Sequence, residues 1–178
     1  MRRLLFTLLF ILVCVPAALA GGSATGDGAL SVLNANGTIT VIGKGTIYGQ
    51  VDKGTLTVTD PDSTDGPMQV VGAQHTRPAG GHVTVYSGKN ITFREVGGRY
   101  KLVISSATGI NFLAVGVGKA WLKADASAGD PGTFTVDGAK KQPLPVTPAV
   151  APPAGTTTWP GLAVQFGVQP TTATTTSQ

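Results

Sequence analysis

The chain has 178 residues, 13 of them basic and 9 acidic, and only 12% are charged, about half of the ~25% usual in globular domains. The basic residues are spread along the sequence with no cluster that could track a phosphate backbone, so a nucleic-acid partner is not expected. A single cysteine, Cys14, excludes a disulfide framework.

Met1 to Ala20 reads as a secretory signal peptide: Arg2 and Arg3 form a positive start, Leu4 to Val15 an apolar stretch, and Ala18-Leu19-Ala20 a small-x-small cleavage site. The apolar stretch falls short of the roughly 20 residues that cross a bilayer as a helix. A retained anchor is the competing reading, and the flexible, uncharged Gly21-Gly22-Ser23 that follows speaks against it. Lipoprotein processing at Cys14 is disfavoured because Val13 is not small. Cleavage after Ala20 removes the cysteine and two of the positive charges, leaving 11 basic residues against 9 acidic ones. The mature chain is then expected to be secreted or envelope-associated, without a transmembrane segment or thiolate metal site.

Residues 21–28 form a flexible lead. From Ala29 the pattern has period two, with β-branched residues in short runs and no amphipathic helix. The runs are Ala29–Asn34, Thr38–Gly43, Thr46–Val51, Thr55–Thr59, Met68–Gly72, His82–Ser87, Ile91–Val96, Arg99–Ser105, Ile110–Val117, Ala120–Ala124 and Thr133–Val136. Asn36-Gly37, Gly97-Gly98 and Asp52-Lys53-Gly54 carry hairpin-turn chemistry, which predicts that neighbouring runs pair antiparallel. The spacing predicts a single antiparallel β-sandwich or partly open barrel of about ten to twelve strands over residues 29–168. Gly-Thr before an apolar residue recurs at Gly37, Gly45, Gly54 and Gly132, which raises an irregular β-solenoid as the alternative, but no fixed period is kept.

Pro143, Pro145, Pro148, Pro152 and Pro153 mark a Pro-rich loop over residues 143–160, unable to build ladder hydrogen bonds. Leu162, Val164, Phe166 and Val168 then alternate with Ala163, Gln165 and Gly167, which predicts a last strand returning to the domain. Residues 169–178 are a Thr-rich tail.

Chemistry-bearing residues are few. His75 and His82 flank the stretch Arg77–Gly81 and could converge on a substrate or metal, though ordinary loop and strand-end roles suit them better. Glu95 is the only glutamate, and the sequence reading places it on the surface. No serine lies in a nucleophile-elbow pattern. Asp60, Asp62 and Asp65, with Ser63 and Thr64 around Gly66, form the one candidate calcium site, because hard cations take closely spaced carboxylate and hydroxyl oxygens. Val71 stands where an EF-hand loop would place its bidentate glutamate, so only a looser β-loop site is compatible. Asn36-Gly37-Thr38 and Asn90-Ile91-Thr92 match the N-glycosylation sequon, and Tyr48, Tyr86, Tyr100 or Trp121 could stack on sugars if exposed.

The stretch Tyr86–Ala124, YSGKNITFREVGGRYKLVISSATGINFLAVGVGKAWLKA, together with GALSVLNANGTITVIGKGTIYGQVDKGTLTVTDPD before it, resembles small secreted β-rich bacterial proteins. The resemblance implies export and an all-β fold, and brings no catalytic residue or cofactor. The expected function is a non-enzymatic domain with a structural or binding role outside the membrane, its partner a cell-envelope polymer or protein. A glycan-binding or calcium-dependent adhesive module is the alternative, and a hydrolase using His75, His82 or Glu95 the third.

Overall fold

The computed structural model describes residues 28–62, 66–146 and 161–167; the signal segment, Asp65, the Pro-rich loop beyond residue 146 and the Thr-rich tail lie outside them. The described residues contain no helix and six strands: β1 (Gly28–Thr59), β2 (Gln69–Gly80), β3 (Val83–Ala124), β4 (Thr133–Val136), β5 (Gln142–Pro143) and β6 (Leu162–Phe166). They form one antiparallel sheet, in the order β2-β3-β1-β4-β5 with β6 on β3, and this sheet is not closed. No parallel rungs of a solenoid are stacked among the described residues.

The short runs read in the sequence are segments of much longer strands. At Asn36-Gly37, Asp52-Lys53-Gly54 and Gly97-Gly98 the chain does not turn back; it continues in β1 or β3, and neighbouring runs do not pair with each other. The first run of β1 lies between β3 and β4, and each later run lies between two stretches of β3. Ile39 faces Ile104 on one side and Leu122 on the other, Ile47 faces Glu95 and Ala114, and Leu56 faces Tyr86 and Ile104. β1 and β3 therefore wind as a two-stranded ribbon whose successive coils hydrogen-bond to one another.

Glycine makes the coil possible. Gly45, at φ 134°, lies opposite both Gly98 and Gly116, the latter at φ 136°. A Cβ on Gly45 would overlap the Val115 carbonyl oxygen, and one on Gly116 the Lys44 carbonyl oxygen. Backbones thus approach where side chains could not fit, and the ribbon bends there. Bulges also change which face points inward. Buried apolar positions are even-numbered at Leu30 and Val32 and odd-numbered from Ala35 to Val51, the switch falling at Asn34, whose φ is 52°. On β3 the switch after Ile91, Phe93 and Glu95 falls at Gly97, whose φ is 79°.

The inward residues of all these segments form one apolar cluster, including Leu30, Ile39, Ile47, Leu56, Ile91, Leu102, Ile104, Ile110, Leu122 and Phe166. The first residues of the Pro-rich stretch are docked on it rather than loose. Leu144 is buried, its N–H donates to the Gly132 carbonyl, and the Pro145 carbonyl accepts from the Ala124 N–H. Pro143 is tolerated because it lies at the sheet edge. Asp137, just after β4, accepts the Ala29 N–H at 2.8 Å and the Gly167 N–H at 3.2–3.3 Å, so it clips the start of β1 to the end of β6.

Candidate functional site

The structure does not gather the three residues considered for hydrolysis. His75 is exposed on β2 opposite Ser87, and His82 is exposed in the β2–β3 turn at φ 61°. The five residue steps of extended strand from His75 to Gly80 span about 16 Å. Glu95, expected on the surface, is instead buried at 5% exposure. Its strand alternates Ile91, Phe93 and Glu95 inward with Thr92 and Arg94 outward, so the carboxylate follows the apolar face of its own run.

Glu95 shares the interior with Tyr100, also buried, whose hydroxyl has no hydrogen-bond partner among the described residues. Loss of water around the phenol, and secondly the nearby Glu95 charge, hold its pKa well above the ordinary tyrosine range. Of the calcium candidates, Asp60 accepts the Asp62 N–H at 3.1 Å in a local turn. Asp65 lies outside the described residues, and no group of three metal-ligating side chains occurs among those described.

The two sequon asparagines take different places. The Asn36 side chain is engaged at both ends: its amide donates to the Asp130 carbonyl at 2.8 Å and its oxygen accepts the Gly109 N–H at 3.1 Å. It is therefore a tie between three segments and not the corner of a hairpin. Asn90 is exposed, at φ 53° on β3.

Of the aromatic candidates, Tyr86 is half-buried against the core, Tyr100 is buried and Trp121 is half-buried. Tyr48 is 48% exposed. It stands in an open groove of about 580 Å³ on the outer face of the sheet. One row of the groove crosses five strand segments: Gln69 of β2, Arg94 of β3, Tyr48 of β1, Leu113 of β3 and Ser31 of β1. At the usual strand separation this row is about 19 Å long. Gln50 and Thr92 lie in the next row, and Val71 and Leu33 close the groove with exposures of 68% and 44%. Asn111 also lines it, but holds the Asn34 bulge by accepting the Asn34 N–H at 2.9 Å and donating to the Gly109 carbonyl at 3.0 Å.

The groove is mostly apolar with an aromatic ring at its centre and the polar ends of Gln50, Gln69 and Arg94 beside it. That combination suits a ligand with alternating apolar faces and hydroxyl groups. Sequence reasoning named Tyr48 and missed Leu33, Gln50, Gln69, Val71 and Arg94. Alternation alone puts Tyr48 with Gln50, and Thr92 with Arg94, on outward faces; nothing local says that those two faces adjoin.

The chain matches no protein-family model, no curated protein and no solved structure.

Proposed function

We propose that the protein is an exported, non-catalytic β domain that binds a neutral glycan of the cell envelope or its surroundings through the Tyr48 groove. The observation that carries this reading is the exposed Tyr48 ring standing between Arg94 and Leu113 in a groove that crosses five strand segments. A tyrosine face packs against the C–H face of a sugar ring, while the Gln50 and Gln69 amides donate to and accept from its hydroxyls and the Arg94 guanidinium donates to them. Met1 to Ala20 supports export, since its tripartite pattern is that of a cleaved signal. In the same reading the coiled ribbon is a sandwich of two facing layers built from ten to twelve short segments, which gives the rigid, continuous outer face that a polymer needs.

The test is calorimetry on residues 21–178 with soluble xylan, β-glucan and dextran. At least one of these polymers binds the native chain, and Tyr48→Ala weakens that binding by about tenfold or more, equivalent to about 1.4 kcal/mol. The melting temperature stays unchanged, because the ring is on the surface. Binding of none of the polymers, or equal binding by the variant, overturns the reading.

A further inference from the structure

Basic residues far apart in the sequence meet on another outer face. Lys44 of β1 lies directly opposite Arg99 of β3, and Ile42 is flanked by Lys101 on one side and Lys119 on the other. All four cations line an open groove of about 570 Å³ together with the half-buried Trp121. At ordinary sheet spacings the Lys101 and Lys119 roots are about 10 Å apart, with the Lys44 and Arg99 row about 7 Å further along the strands. Among the described residues no carboxylate is part of the lining; Asp60 and Asp62 follow the lining residues Thr59 and Pro61 at the rim.

Lys44 and Arg99 stand side by side on adjacent strands, so a polyanion laid on this face meets both charges at once.

We propose that this face is a second site, beyond the Tyr48 groove, and that it takes an acidic polysaccharide. Carboxylates or sulfates of the polymer meet the cations, and a sugar face lies on Trp121. A nucleic acid fits less well, because stacking successive bases requires several aromatic side chains along the groove and Trp121 is alone among its outward-facing lining.

The experiment is calorimetry of residues 21–178 with polygalacturonate at low and high salt, beside dextran, single-stranded DNA and vesicles containing an anionic phospholipid. Polygalacturonate binds, and its affinity falls as salt rises, as contacts between exposed charges do. Lys44→Gln with Lys119→Gln weakens it by about fivefold to tenfold, two surface charge contacts being lost. The melting temperature of this double variant is unchanged or raised, and Tyr48→Ala leaves polygalacturonate binding intact. The proposal is overturned if polygalacturonate does not bind, if the double variant binds it equally, or if DNA or the vesicles bind more tightly. A Tyr48→Ala variant that loses neutral glycan while keeping polygalacturonate separates this site from the first.

Discussion

At Tyr100 the fold sets a protonation state, and the sign of its pH dependence follows. The phenol has an ordinary pKa of 10.0 when unfolded and a higher one when folded, so below about pH 10 both states hold the proton and stability is untouched. Above it the unfolded chain loses the proton first, and stability falls as pH rises toward the folded value. Tyr100→Phe removes that alkaline loss and relieves a buried hydroxyl that lacks a partner, so it is expected to gain about 1 kcal/mol at neutral pH. Urea unfolding at pH 8 and pH 10.5 checks both parts, with the larger gain at the higher pH. Its neighbour Glu95 shows how a residue-scale reading goes astray. Charge argues for the surface, yet Ile91 and Phe93, four and two positions earlier, already assign Glu95 to the inward face. The alternation was legible and was the better guide; the compensating surroundings of the carboxylate were not.

Strands were legible as elements because β-branched alternation is a local signal. Their connections were not. A glycine at positive φ serves a hairpin turn and a bend within a strand equally well, and only the partner decides between them. Around Gly45 the partners are Gly98 and Gly116, residues distant in sequence that no local rule links to it. The difference between glycines is measurable. Gly45→Ala places a Cβ against a carbonyl oxygen as well as forcing a left-handed φ, and should cost about 3 kcal/mol or more. Gly97→Ala meets only the φ penalty in open space, about 1–2 kcal/mol. Guanidinium unfolding of the two variants gives the comparison; equal costs would mean that the ribbon coils do not touch tightly at Gly45. At the Pro-rich end the local signal was half right. The run of prolines forbids a regular ladder, but Leu144 among them has a core to bury itself in.

Over the whole molecule, the ribbon brings together what the sequence keeps apart. The Tyr48 row takes side chains from three strands and five segments, and the basic groove takes its four cations from β1 and from two separate stretches of β3. Neither composition nor spacing encodes those adjacencies, since the sequence shows scattered lysines where the sheet has a face of them. Asp137 has a further consequence at this scale. By accepting both the Ala29 and the Gly167 N–H groups it seats the outermost described backbone of the domain at one spot, Gly28 against Gly167. The order of the elements in the chain can therefore be rotated without moving any of them. A circular permutant that joins residue 167 to residue 28 through a short Gly/Ser linker, and opens at the exposed Gly80–Gly81 turn, should keep the β-sheet circular-dichroism spectrum and a cooperative thermal transition. For a domain displayed on a surface or inserted inside another protein, this means that a single attachment point holds it, and both outer grooves travel with it as one rigid tile.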